Sequence, residues 1–229
     1  MRKIYAKLVP KNLSVERKAN WLEICRDLLG RLEIEPTFWH DESWVFDYDP
    51  ETKQQSEEWH TKSSPPKKAR MSRSRVKTMI IGLFDSRGIV HKEFVPPGPT
   101  VNHAFYKDVS ERLRKRVQRV RTDIADDWVL HHDNAPANTT LSIRSFLTKK
   151  HIPVLSYPPY SPDLAPCDFY LFPNLRGHHF GTMENIQKIV TDELHKLTEN
   201  DFRYCYVQWK KRWNHGVTSH GSYFEGDNF

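Results

Sequence analysis

Residues 76 to 95 read VKTMIIGLFDSRGIVHKEFV. Val76 to Ser86 is an apolar run of strand type, Ser86-Arg87-Gly88 supplies a turn, and Ile89 to Val95 is a second strand. Two such runs joined by a short glycine-containing turn describe a β-hairpin. Pro96, Pro97, Gly98 and Pro99 end it, because proline lacks a backbone donor and fixes its own φ. The flanking patterns decide what sheet this hairpin joins.

Upstream, residues 1–13 are basic, and Ser14 to Glu33 reads as a helix with Ser14 as its N-cap. Trp21, Cys25, Leu28 and Leu32 share one face of it. Trp44, Phe46 and Tyr48 alternate with Val45 and Asp47, which predicts a strand beginning near Asp41. A polar stretch from Asp49 to Arg75 then reads as a long loop. Its second half carries Lys67, Lys68, Arg70, Arg73 and Arg75, a solvated flexible loop, or a nucleic-acid contact or nuclear-import patch. Downstream, Asn102 to about Asp123 reads as a helix with Val109, Leu113, Val117 and Val120 on one face. Arg112, Arg114, Lys115, Arg116, Arg119 and Arg121 cover much of the remainder. Trp128 to Asp133 is a short strand, Thr140 to Lys149 a helix, and Ile152 to Ser156 another strand. Helices are expected from Asp168, from Glu184 to Thr198 and from Asp201 to Asn214. An antiparallel start followed by alternating strand and helix units predicts an α/β domain with a mixed sheet.

The 229 residues are 38% hydrophobic and 12% aromatic, sufficient for one sizeable core. A formal charge of +6 and a sequence pI near 9.1 suit a polyanionic partner. Cys25, Cys167 and Cys205 are far apart, which argues against a disulfide framework or a structural zinc site and for reduced thiols. No apolar run is long enough to span a membrane, and the N-terminal residues have no signal-peptide core. A nuclear or cytosolic location is expected.

Three aspartates fall at the ends or edges of elements. Asp41 opens or sits within the first strand, Asp133 ends the strand WVLHHD, and Asp168 follows PPYSPDLAPC. Pro158, Pro159, Pro162 and Pro166 make that last segment a stiff arm carrying one carboxylate. Sites in α/β sheets form at carboxyl ends of strands and at neighbouring helix starts. Carboxylates gathered there repel one another unless a cation holds them, and hard oxygen ligands suit Mg²⁺. Two such ions clamp the attacking and leaving oxygens of a phosphoryl transfer. Asp163 reads as a turn residue, and strand alternation points Glu42 away from Asp41. His131 and His132 are open as ligands or as packing groups.

HDESWVFDYDPETK, LHHDNAPANTT and PPYSPDLAPCDFYLF resemble the three catalytic blocks of mariner-type DNA transposases. The 34 residues between Asp133 and Asp168 match that family's Asp-Asp-Asp spacing, and the third block is highly specific. The resemblance runs from LVPKNL (8–13) to GSYFEGD (221–227), and extends to mariner-derived segments fused to host histone methyltransferases. It implies an RNase H-like mixed sheet flanked by helices. Residues 1–34 would be interdomain linker and helix, and 35–229 the catalytic domain, with a clamp-type loop at about 49–75. It implies two Mg²⁺ or Mn²⁺ ions, with Asp41 bridging both, Asp133 holding one and Asp168 the other. It further implies DNA strand cleavage and strand transfer, a homodimer through linker and clamp-type loop, and a nuclear location. Lys67, Lys68, Arg70, Arg73, Arg75, Arg112, Lys115, Arg116 and Arg119 are the expected DNA contacts.

The chain departs from the family pattern in four places. The helix-turn-helix half is expected to be absent. The approach to Asp41 through Glu35-Pro36-Thr37-Phe38-Trp39-His40 is shorter, predicting a truncated first strand and a displaced Asp41. Asn138 stands where the family commonly has His, and Cys167 where it commonly has Ser. These features leave two alternatives beside the transposase: an inactive DNA-binding remnant, and an RNase H-like nuclease that nicks without joining.

Overall fold

The computed structural model describes residues 11–31, 37–47, 76–96, 98, 102–155, 157–175, 180 and 182–224. Tyr48, Leu32, Glu33, the loop from Asp49 to Arg75 and its five basic residues lie outside the described residues. Strand β1 (Thr37–Phe46) lies between β2 (Lys77–Asp85) and β4 (Val129–His131), and β3 (Gly88–Val95) takes the outer edge. The β2–β3 hairpin forms as its sequence requires, and β2 pairs antiparallel with β1. β1 runs parallel to β4, so the sheet is mixed.

Two strand expectations are corrected. β1 begins at Thr37 rather than near Asp41, because Thr37, Phe38 and Trp39 add ladder pairs with β4. Phe38 and Trp39 are each fully buried in cores on opposite sides of the sheet. The strand is therefore not truncated, and Asp41 sits at its middle. Of the strand expected over Ile152–Ser156, the described residues Ile152–Leu155 do not form a full strand, and Ser156 lies outside the described residues. Ile152–Leu155 contributes one parallel bridge, Leu130 with Val154, flanked by Leu130 N–H to Pro153 O at 2.9 Å and Leu155 N–H to Leu130 O at 2.9 Å. Pro153 has no N–H with which to continue a ladder.

The helices are α1 (Val15–Arg31), α2 (His103–Val120), α3 (Leu141–Lys149), α4 (Met183–Lys196) and α5 (Glu199–Thr218). Asn102 Oδ1 accepts from Phe105 N–H at 2.9 Å and Thr140 Oγ1 from Ile143 N–H at 3.4 Å, which sets the starts of α2 and α3. Thr198, expected to end α4, instead opens α5. Its N–H donates to Asp201 Oδ2 at 2.7 Å in a capping box. The helix expected from Asp168 is a single π-helical turn, Cys167–Leu171.

Each face of the sheet has its own core. Tyr106, Val109, Leu113 and Val117 of α2, with Ile143 and Leu147 of α3, cover Phe38, Ile81 and Leu83. On the other face α1, α4 and α5 enclose Trp39, Ile80 and Phe84. Trp39 meets Trp209 edge-on at 5.1 Å, and Trp209 meets Trp213 at 5.7 Å. α1 belongs to this core through Trp21, Cys25 and Leu28, all buried against α5.

The α1–α5 approach depends on Gly216. A Cβ there would lie 2.8 Å from Cys25 Sγ and 3.2 Å from the Trp21 ring. Gly216→Val is expected to lower stability by about 1–3 kcal/mol through overpacking, read as a lower urea midpoint at unchanged m. An unchanged midpoint would show that α1 is not packed as described.

Candidate active site

Asp41 and Asp133 are brought together by strand register. The β1–β4 pairs are Thr37 with Val129, Phe38 with Leu130 and Trp39 with His131. The ladder ends at that last pair, and Asp41 and Asp133 each follow it by two residues on adjacent strands. Asp133 lies just beyond the end of β4, where Asn134-Ala135-Pro136 turns the chain away. Its Oδ1 accepts from Ala135 N–H at 3.0 Å and from Asn138 Nδ2 at 2.7 Å. Asn138 is itself only 2% exposed, so this partner is held by packing.

Asp168 arrives on the π-helical turn that packs on β1. Gly82 makes room for it. Gly82 pairs with Asp41 across the sheet, and a Cβ there would come within 3.1 Å of Leu171 Cδ2 on the same turn. The proline segment ahead of Asp168 is bolted at several points. Trp209 Nε1 donates to Leu164 O at 2.8 Å, Arg212 to Asp163 O at 2.8 Å, and Tyr157 OH to Ser161 O at 2.7 Å. Trp21 Nε1 donates to Ser161 Oγ, and Tyr223 OH to Tyr160 O at 2.6 Å. Asp133, Asn134, Tyr157, Tyr160 and Asp168 line a cleft of about 480 Å³.

The charges confirm the proximity. Burial pushes the Asp41 carboxyl well above the usual carboxylate range, and Asp168, Asp133 and Glu42 push it further; one N–H bond, from Glu42 at 2.8 Å, opposes this. Burial raises the Tyr157 phenol too, followed by Asp168, Asp41, Asp163 and Asp133. All three predicted aspartates therefore act on one hydroxyl. Cys167 is buried, and its thiol is raised by burial and then by Asp41 and Asp168, so it is a packing group and not a nucleophile.

Glu42 was turned away from the site by strand alternation alone, yet it belongs to the same electrostatic cluster. Burial and then Asp133 push its carboxyl up to about 7. Its signal in the sequence was adjacency to Asp41, which alternation outweighed. His131 and His132 are packing groups. The His131 ring lies edge-on to Tyr157 and to Trp209, each at 5.1 Å, and burial lowers it to about 3. His132 Nδ1 is 2.8 Å from Asp133 O. Asp163 is more than a turn residue: it is 4% exposed, and its carbonyl anchors Arg212.

A divalent cation fits the donor set by its chemistry: buried carboxylates that raise one another's proton affinity gain by binding a hard cation instead. Among the described residues no three acidic, histidine or cysteine side chains group tightly enough to hold one ion together.

The chain is similar to known proteins in sequence and in fold. Residues 49–126 match the family described as Transposase (partial DDE domain). The chain is 30% identical over 231 residues to the Mariner Mos1 transposase of Drosophila mauritiana, covering 95% of this chain and 66% of that protein. It is 26% identical over 230 residues to Histone-lysine N-methyltransferase SETMAR of Homo sapiens, covering 96% of this chain and 33% of that protein. The fold superposes on the crystal structure of the Mos1 mariner paired end complex with Mn at a TM-score of 0.86. Identity there is 28%, over 98% of this chain and 68% of that one. Against the crystal structure of the Mos1 catalytic domain the TM-score is 0.75 at 25% identity, over 95% of this chain and 100% of that one.

The sheet and its helices thus form an RNase H-like catalytic domain, as the motifs implied. The chain belongs to the mariner-type transposases. It spans about two thirds of the length of Mos1 and one third of SETMAR.

Two outcomes follow from the carboxylate cluster. Glu42 is raised from 4.5 to about 7, so its contribution to stability is complete below pH 4.5 and is lost as pH rises toward 7. In EDTA, chemical denaturation across that window should show stability falling with pH, and Glu42→Gln should flatten the fall. At pH 7.5, Mn²⁺ at a hundredfold excess over its Kd should raise Tm by roughly 5–10 °C. Asp133→Asn should remove most of that rise; an equal rise in the variant would rule out Asp133 as a ligand.

Proposed function

We propose that this chain is the catalytic part of a mariner-type transposase, cleaving DNA strands and transferring the freed 3′ ends to target DNA. The observation that carries the reading is the convergence of three aspartates: Asp41 lies on β1, which pairs with β4 just before Asp133 and packs against the turn carrying Asp168, and Asp133 and Asp168 line one cleft. Asp41 would bridge two Mg²⁺ or Mn²⁺ ions, Asp133 would hold one and Asp168 the other. When bound, such ions lower the pKa of a water or a 3′-hydroxyl and stabilise the attacking and leaving oxygens. The chain's own contribution is position. Asn138 and the Ala135 N–H hold Oδ1 of Asp133, and neither bond uses Oδ2. The hydrogen bonds on the proline segment hold Asp168 without an ordering cost at the moment of reaction. Solved relatives described as paired end complexes and transpososomes support DNA as the partner. A homodimer through the linker and clamp-type loop and a nuclear location belong to the same reading.

The alternative is an inactive DNA-binding remnant, which would keep the basic residues of α2 and lack the cleavage. A nicking assay separates the two. With Mn²⁺ or Mg²⁺ and a labelled duplex, the wild type is expected to nick. Asp41→Ala, Asp133→Ala and Asp168→Ala should each lose at least about 100-fold, the order of a few kcal/mol of charge stabilisation. Equal residual nicking in wild type and all three variants would leave the remnant. Joining of a pre-nicked 3′ end to a second duplex distinguishes a transposase from a nuclease.

A further inference from the structure

A second cavity, of about 740 Å³, runs along the free edge of β3 between α2 and α4. Its lining is strongly basic: Lys92 of β3, Arg112, Lys115, Arg116 and Arg119 of α2, and His195 of α4. The four α2 residues follow i, i+3, i+4, i+7 spacing, which makes one stripe along the helix. From Arg112 to Arg119 the stripe spans about 10 Å at 1.5 Å of rise per residue. A single nucleic-acid strand places about three phosphates in that length.

The cations differ in what already neutralises them. Arg112 is bound in a two-pronged pair to Glu93, at 2.9 and 2.6 Å. Arg121, further along the same helix, is tied to buried Asp85 at 2.7 and 3.0 Å and does not line the groove. Lys115, Arg116 and Arg119 have no carboxylate partner among the described residues. Lys92 Nζ is buried with no hydrogen-bond partner. Burial lowers its pKa while Asp192 acts in the opposite direction. An edge-strand lysine that only guards against strand pairing would hold its charge in water. An ammonium buried in a cationic groove calls for an anion.

The groove is distinct from the carboxylate site. Lys92 pairs with Gly82, and Gly82 with Asp41, so the two side chains belong to one row across the sheet. Two strand spacings, about 10 Å, separate their backbones. An acidic peptide adding to the edge of β3 fits less well, because Arg116 Nε already donates to Val90 O at 3.1 Å and occupies that edge carbonyl.

We propose that this groove binds the phosphodiester backbone of a DNA segment remote from the scissile phosphate. Lys115, Arg116 and Arg119 contact successive phosphates, and Lys92 anchors one from its buried position. The proposal rests on DNA being the substrate. It is tested on binding without divalent cation, so that it stands or falls apart from cleavage.

The full chain is titrated onto a fluorescein-labelled duplex in EDTA over roughly 50 to 200 mM KCl. Each lost phosphate contact should reduce the slope of log K against log salt by about 0.9. Lys115→Gln/Arg119→Gln should be shallower than wild type by about 2, and Lys92→Met by about 1, with thermal unfolding checked to show that both variants fold. Lys149→Gln, in α3 and outside the groove, should keep the wild-type slope. Unchanged slopes in both groove variants would overturn the proposal. So would tripolyphosphate binding that the variants abolish while the DNA slope stays as in wild type, which would make the groove a small-anion site. Altered slopes in a chain that does not nick would support the groove and sink the catalytic reading alone.

Discussion

The parallel pairing of β1 with β4 covers only three residue pairs, and the arrangement of the site depends on it. It sets Trp39 beside His131, with Asp41 and Asp133 each two residues further along their strands. A slip of one residue would turn every β1 side chain to the other face. The register is held from both sides by burial. Phe38 packs edge-on to Trp128 at 5.0 Å on one face, and Trp39 packs on Trp209 on the other. The aromatic residues around the site are thus part of how two carboxylates are kept side by side.

The third carboxylate comes from a different kind of structure. Prolines limit what the segment before Asp168 can do, but stiffness alone does not aim it. Its direction is set by hydrogen bonds from α1, α5 and the chain beyond α5, and by Leu171 seated over Gly82. α1 and α5 are far apart in sequence and share a core through Cys25, Trp21 and Gly216. Packing at that distant interface therefore reaches the active site through the proline segment.

Charge is distributed unevenly over the molecule. The carboxylates gather where burial and mutual repulsion make them hungry for cations. The basic residues of α2 divide by position. Arg112 and Arg121 serve the fold through Glu93 and Asp85, while Lys115, Arg116 and Arg119 remain available along the β3 edge. The uniform basic face suggested by the helix sequence is in fact two populations.

The hairpin, the basic helix, the helix starts at about Asn102 and Thr140, and the three aspartates with their spacing were legible in the sequence, because each is a local pattern or a short motif. The mixed sheet followed from element order. Tertiary structure alone decided the rest. β1 begins at Thr37 because its first pairs are with β4, more than 80 residues away in sequence. Ile152–Leu155 is reduced to a bridge by Pro153, and Thr198 caps the following helix instead of ending the preceding one. Glu42 joined the carboxylates because proximity to Asp133 is a distance across the fold, which alternation along one strand does not contain. Sequence determined which groups are present and in what local geometry. Only the packed sheet decided which of them share an electric field, since that field depends on burial and separation between segments that are not neighbours in the chain.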